Sequence, residues 1–579
     1  MNLKYLSIIR LLSISTIFIL IAAVPLTAQS GMDYLRTHDS RFNNLPGYDF
    51  EPHYAYVDDY EGGKLRMHYA DEGPKGAPAV IMVHGNPTWS YQFRDLVPIL
   101  NKAGYRTILI DLIGMGRSDK PTDFDDYTYD RHVGWVSQLI THIDTALGLS
   151  RITYFGHDYG TPIGIRLMNE HFPERFDAFI DANASLPDGT FISPVHINWR
   201  QFVRDNPDVP VGHVISGQVE PPLSAREVYA YYAPFPDSSY KTAVRSFPEM
   251  VPESRDEPEA VANISAWEFL ETFKRPFMTI FGKADSKIFS ARRDFIDRVP
   301  GAYGQPHPQL DVTHYAPEDK PEEVAAEVLK FLDDVYHPVS FKELMFSDFE
   351  EGLDGFVLQG ENCIYDQERK AIKIQCSGGE TSSAFLDPPI DLRGSDAVKV
   401  SFRYLTSGMN ADDEFYVEIW EGSKWTNILT LTSEDDFADG VKDYGFIRID
   451  SAGVIFASES RIRFRCSLGN NSGTLYILDF ALYIRKKGVS EVDDLSVSLS
   501  ENNISPNPAS EYIEVRQPSE GFEPSEGSAI KIYNAFGECV VSVRAIHELP
   551  LHRIDISHLP IGIYFIQIGN YSEKFVVVR

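Results

Sequence analysis

Positive charge, cysteine and long apolar runs are all scarce in this chain of 579 residues, and each shortage removes a class of function. Lysine and arginine number 53 against 84 aspartates and glutamates, a formal net charge of −31. A surface so acidic repels nucleic-acid phosphates and anionic lipid headgroups, so no nucleic acid or membrane partner is expected, and a neutral or cationic small molecule is easier to hold. The four cysteines, Cys363, Cys376, Cys466 and Cys539, all lie in the C-terminal half, at spacings that match no metal site. An exported chain could close a disulfide such as Cys363 with Cys376 or Cys466, but the spacing does not assign one. The one long apolar run, Leu11 to Val24, follows an early lysine and arginine and precedes small residues up to Ala28. That is the layout of a cleavable secretory signal over residues 1–29, and the run is short for a bilayer span.

What remains is ordinary folded protein, 43% hydrophobic and 24% charged. Its length implies several domains. Between Tyr54 and Tyr336 short β-rich runs such as "AVIMVHG", "YRTILIDLIG", "ITYFGHD", "FDAFIDA" and "FMTIFGKAD" alternate with helical patterns. This predicts an α/β domain over residues 30–340 with a mainly parallel sheet and ligands beyond the carboxyl ends of its strands. The alternation stops over residues 186–267, a stretch rich in proline and aromatics that is placed to form a lid. Alternating strand patterns separated by turn residues then predict a β-sandwich, jelly-roll-like, over residues 341–487. A polar linker, residues 488–503, leads to a small all-β module, residues 504–579.

Within "YFGHDYGTPIG" an aspartate, Asp158, stands between Gly156 and Gly160 where a G-x-S-x-G hydrolase has its serine. Such a turn lifts the central side chain above the sheet. In chain order the acid and then the histidine should follow, and Asp285 in "FGKADSKIF" and His314 in "LDVTHYAPEDK" meet that order. Asp181 is a second candidate acid inside its apolar run, and His84 and His157 are rival histidines. A carboxylate suits displacement at saturated carbon, which leaves an ester on the enzyme. Water activated by His314, held by Asp285, would then hydrolyse that ester at the Asp158 carbonyl. The backbone N–H groups of Asn86 and Tyr159 are candidate oxyanion donors, and the Asn86 amide is a candidate halide contact. The chemistry calls for no cofactor and no metal.

Residues 45–336 resemble the haloalkane dehalogenase family of α/β hydrolases in "HGNPTWSYQFRDLVP", "DLIGMGRSDKP", "GHDYG", the lid string "LSAREVYAYYAPFPDSSYKTAVRSFPEMVP" and the Asp285 and His314 segments. The resemblance implies Asp158 as nucleophile, Asp285 as acid, His314 as base and Asn86 as a halide-stabilising group. It departs at Tyr159, where the family usually carries a tryptophan that points its N–H at the halide. Val219 stands near where one subgroup has its lid tryptophan, and Trp89 and Trp199 read as packing residues. Epoxide hydrolases share the nucleophile and base but add lid tyrosines, for which Tyr229, Tyr231, Tyr232 and Tyr240 are candidates. The strings "ISPNPASEYIEV", "IKIYNAFGECV", "IDISHLPIGIYFIQI" and "EKFVVVR" resemble the C-terminal sorting domain of the type IX secretion system of Bacteroidetes. That resemblance implies a secreted or cell-surface protein with the type IX machinery as partner.

The sequence therefore reads as a secreted hydrolase that cleaves carbon–halogen bonds of a small-molecule substrate. Epoxide hydrolysis with the same three residues is the alternative, and a catalytically silent surface-binding protein is the second. The sandwich, which carries no catalytic constellation, is a candidate for a carbohydrate or cell-surface ligand or a spacer.

Overall fold

The computed structural model describes residues 31–283, 285, 289–336, 341–375, 382–410, 413–432, 440–466 and 473–486. In the last module it describes residues 504–505, 512–516, 529–534, 539–544, 551–557, 559, 562–568 and 571–577. The expected signal segment, the linker and Cys376 lie outside the described residues. The chain divides into two compact units, Met1–Gly488 and Val489–Arg579.

Eight strands build the first sheet: β1 (Pro52–Asp58), β2 (Lys64–Glu72), β3 (Ala79–Val83), β4 (Arg106–Ile110), β5 (Ile152–His157), β6 (Ala178–Ala182), β7 (Phe277–Gly282) and β8 (Gln309–Leu310). Their spatial order is β8-β7-β6-β5-β3-β4-β2-β1. The six strands from β8 to β4 run parallel, and β2 and β1 add antiparallel pairs at one edge. Every residue of β3 to β7 is buried. Their near-continuous apolar sequences follow from this, because helices cover both faces of a parallel sheet. Helix Tyr129–Leu147 shows how such a cover begins and ends. The Thr128 side chain accepts from the Arg131 N–H, and Gly148 closes the helix at φ 58°, a left-handed position that suits glycine.

Between β6 and β7 lie the helices Pro194–Asp205, Val211–Ser216, Ala225–Tyr232, Thr242–Ser246 and Pro258–Leu270. The first four fall within residues 186–267, the stretch expected to form a lid. The last belongs to the flank of the sheet, where Glu259 pairs with Arg166 of helix Gly160–Glu170 at 2.7 Å. One buried cluster ties the lid down. Arg94 reaches Glu318 through both terminal nitrogens at 2.7 and 2.6 Å and Glu227 at 3.2 Å, and the Tyr231 hydroxyl also donates to Glu318.

Residues 341–486 form two antiparallel sheets of six and five strands with one apolar core between them. Strand Glu414–Trp420 shows the alternation that predicts this: Phe415, Val417 and Ile419 point inward and are buried, while Tyr416 and Trp420 are partly exposed. Cys363 is a free thiol buried in this core, whereas Cys466 is disulfide-bonded. The suggested pairings of Cys363 are therefore not formed. Burial pushes its thiol up to about 12, as expected of an unreactive core cysteine. The second unit holds a three-stranded and a four-stranded antiparallel sheet.

Candidate active site

The parallel register aligns Val83 with Gly156, His157 with Ala182 and Ala182 with Ile280. The residues just past these strands therefore meet on one end of the sheet. Asp158 makes one of these turns, with φ of 51°, a left-handed value rare for a residue with a side chain. Packing enforces the turn: a Cβ on Gly160 would lie 2.1 Å from the Val83 carbonyl oxygen, and one on Gly85 would lie 2.2 Å from Asp158 Oδ2. The Asn86 N–H donates to Asp158 Oδ2 at 2.9 Å, and the Tyr159 N–H lies close enough to help hold the carboxylate's charge. Burial raises the Asp158 carboxyl to about 6, opposed by His314 and by those two N–H donors.

His314 Nδ1 lies 2.8 Å from Asp285 Oδ2. A carboxylate only accepts, so Nδ1 carries the proton and Nε2 presents a lone pair. Nε2 faces Asp158, 3.8 Å from Oδ1. The three residues singled out by chain order are thus adjacent in space. Asp181 lies elsewhere: it is fully buried, accepts from the Thr161 hydroxyl at 2.8 Å, and is pushed far up by burial. The rival histidines are fixed in place as neutral rings. His84 donates to the Gly85 carbonyl and accepts from the Leu112 N–H. His157 donates from Nε2 to the His314 carbonyl at 2.8 Å, and burial lowers it to about 3.

Sequence reasoning missed Asn183. It directly follows β6, is buried, and has φ of 47°. Its Nδ2 donates to the carbonyls of Thr313 and His314 at 2.9 and 2.7 Å, and its Oδ1 accepts from the Gly282 N–H at 2.8 Å. One side chain thus pins the loop of the histidine to the strand that ends just before Asp285. The only signal in the sequence was an asparagine at a strand end, a residue type that tolerates left-handed φ.

A pocket of about 340 Å³ opens above Asp158 and is lined by Tyr129, Tyr159, Leu186, Phe191 and Trp267 among others. That volume suits a small molecule. The Tyr159 ring stands edge-on to Phe247 at 5.1 Å, and its hydroxyl is buried with no partner among the described residues. The Asn86 amide donates to the Val244 carbonyl of the lid at 3.3 Å. Trp89 gives its indole N–H to the Ala230 carbonyl, Trp267 gives its own to Leu186, and Trp199 stacks on Phe202. None of the four lid tyrosines is among the residues lining this pocket. Tyr231 is bonded to Glu318, the Tyr232 hydroxyl to His213, Tyr229 is exposed, and Tyr240 packs against the core.

The chain is similar to known proteins in two of its regions. The alpha/beta hydrolase fold family matches residues 78–207, and the secretion system C-terminal sorting domain family matches residues 503–578. The haloalkane dehalogenase of Mycobacterium marinum is 42% identical over 306 residues, 52% of this chain and 100% of its own length. That of Psychrobacter cryohalolentis is 42% identical over 305 residues, 52% of this chain and 99% of its own. Among solved structures, the tetrameric haloalkane dehalogenase DpaA of Paraglaciecola agarilytica is 29% identical, covering 52% of this chain and 98% of its own at a TM-score of 0.48. The sorting domain marks the protein for export by type IX secretion, to be released or attached at the cell surface. Its hydrolase half, matched along the whole length of such relatives, shows that the chain belongs to the haloalkane dehalogenase family.

Proposed function

We propose that this secreted dehalogenase-like hydrolase converts a small haloalkane to an alcohol through an ester on Asp158. The observation that carries the reading is the convergence on one carboxylate of two backbone N–H donors and the unprotonated nitrogen of His314. Asp158 Oδ1, which does not take the Asn86 N–H, attacks the halogen-bearing carbon as the carbon–halogen bond breaks and halide leaves with the electron pair. Oδ2 becomes the ester carbonyl oxygen, already hydrogen-bonded to the Asn86 N–H, with the Tyr159 N–H as the candidate second donor. Water gives a proton to His314 Nε2 and attacks the ester carbon, and the charge that develops on Oδ2 is held by those donors. Collapse releases the alcohol and restores Asp158, and the imidazolium, stabilised by Asp285, returns its proton to solvent. The Tyr159 hydroxyl, a buried donor without an acceptor among the described residues on a side chain that lines the pocket, is the candidate contact for the departing halide.

His314→Gln tests the two steps separately. With a 1-bromoalkane it should release about one equivalent of halide and stall, with the alkyl group on the peptide that contains Asp158 by mass spectrometry. An unmodified peptide in a variant shown to bind the substrate, or diol formation from epoxides by a wild type that releases no halide, overturns the proposal.

A further inference from the structure

The sandwich is fused to the hydrolase domain. Asp334, near the end of helix Pro321–Tyr336, meets Lys399 at 2.6 Å with both side chains buried, and also meets Arg448 at 2.7 Å. The neighbouring Asp333 pairs with Arg485 at 3.0 Å. Further along the seam the Tyr303 hydroxyl donates to Asp479 at 2.9 Å, and the Gly304 N–H donates to the Tyr444 hydroxyl at 2.9 Å. A tether would not need buried ion pairs, which hold a fixed geometry only where both partners and their surroundings are ordered.

One contact in this seam leads back to the active site. Asp443, on sandwich strand Lys442–Asp450, accepts from Arg292 at 3.1 Å and from Arg293 at 2.9 Å. Both arginines sit near the start of helix Phe289–Arg298, a few residues past Asp285. The buried Arg292 guanidinium also donates to the His307 carbonyl at 3.1 Å, on the segment that enters β8 and then carries His314. His307 is itself fixed, accepting from the Thr279 N–H of β7 and donating to the Ala302 carbonyl. Arg292 therefore stands where the helix after the acid, the approach to the base and the sandwich come together.

We propose that Asp443 and Arg292 are positioning residues, through which the sandwich holds the Asp285 and His314 segments in register for ester hydrolysis. Asn183 fixes the same two segments from inside the sheet; the Asp443 contact fixes them from outside. This rests on the aspartyl-ester mechanism above and gives the sandwich a task other than ligand binding. Asp158 takes no part in it, because its turn is set by β5, Gly160 and the Asn86 loop. Loss of the contact should therefore slow the second chemical step and spare the first.

The test uses the full chain with Asp443→Asn and Asp443→Ala, and Lys399→Met as a seam variant that does not touch Arg292. If ester hydrolysis alone is slowed, kcat and KM fall together by about tenfold while kcat/KM stays within about twofold. The fraction of enzyme carrying the alkyl group at saturating substrate rises in step. Hydrogen exchange in the peptide spanning His307 to Tyr315 should also quicken in the Asp443 variants, a reading that does not depend on activity. Lys399→Met should lower thermal stability and leave the alkylated fraction as in wild type. Unchanged exchange and kinetics in the Asp443 variants overturn the proposal, as does a fall in kcat/KM with no rise in adduct, or an equal rise in Lys399→Met. Quickened exchange in a protein whose wild type releases no halide would instead retain the brace and remove the dehalogenase reading.

Discussion

Asp158→Asn should make the protein more stable, by an amount that depends on pH. Burial raises this carboxyl from 3.8 to about 6, against the pull of His314 and of two N–H donors. Its side chain is only 17% exposed, so solvent screens the effect weakly. The folded state thus binds a proton more tightly than the unfolded chain does. Its contribution is neutral below pH 3.8, becomes unfavourable as pH rises from about 4 to about 6, and stays so above. At about 1.4 kcal/mol for each tenfold change in proton affinity, the ionised carboxylate costs about 3 kcal/mol at pH 8. Asparagine keeps the shape without the charge. The stability gained by Asp158→Asn should therefore be about 2 kcal/mol larger at pH 8 than at pH 4.

Urea unfolding of the hydrolase transition, followed for both proteins at the two pH values, measures that double difference and cancels the titrating groups that do not interact with Asp158. A difference that does not change with pH would mean that Asp158 is ionised in the folded state without penalty. The same property has a kinetic face. The nucleophile must be ionised to attack, so kcat/KM for halide release should fall as pH drops through about 6. A limb near the ordinary aspartate value would refute the argument a second time.

Two further outcomes follow from the site and from the chain's two-unit division. Removing the hydroxyl in Tyr159→Phe should slow halide release by up to about a hundredfold if that group serves as one oxyanion-type donor does, measured as the rate of alkylation with bromide and chloride leaving groups. An unchanged rate would show that the hydroxyl does not meet the halide. Truncation after Ser500 should leave halide-releasing activity in a cell extract while the protein accumulates in the periplasm, and normal appearance outside the cell would count against the sorting role.

The sharp turn at Asp158 was legible because its constraints are local. Gly156 and Gly160 flank Asp158 in five residues, and the clash that each glycine avoids is with backbone a few residues away or on the adjoining strand. Asp285 and His314 were legible for a related reason: each follows an apolar strand run, and parallel register brings such ends together. Asn183 was not, since its three partners come from two other segments and its own neighbours give no hint of them. The seam was invisible for a different reason. Lys399, Arg448 and Arg485 occupy outward positions on alternating strands, where charge ordinarily faces water. Periodicity tells which face a residue is on, not what covers that face, and here Asp333 and Asp334 cover it.

Position 159 joins these two kinds of information. The sequence shows only that a phenol replaces an indole beside the nucleophile. The structure shows indole donors already committed, Trp89 to Ala230, Trp135 to Asp58 and Trp267 to Leu186, and one Asn86 N–H drawn toward Val244. The Tyr159 hydroxyl is buried, pushed well above its ordinary pKa of 10 by burial, and without an acceptor among the described residues. It therefore stays protonated at any pH the protein meets, and a buried donor left unpaired costs about 1–3 kcal/mol. A departing halide held as proposed would accept that hydrogen bond and gain charge as it does so. The interaction is thus stronger in the transition state than in the ground state, which is the condition for it to accelerate the reaction.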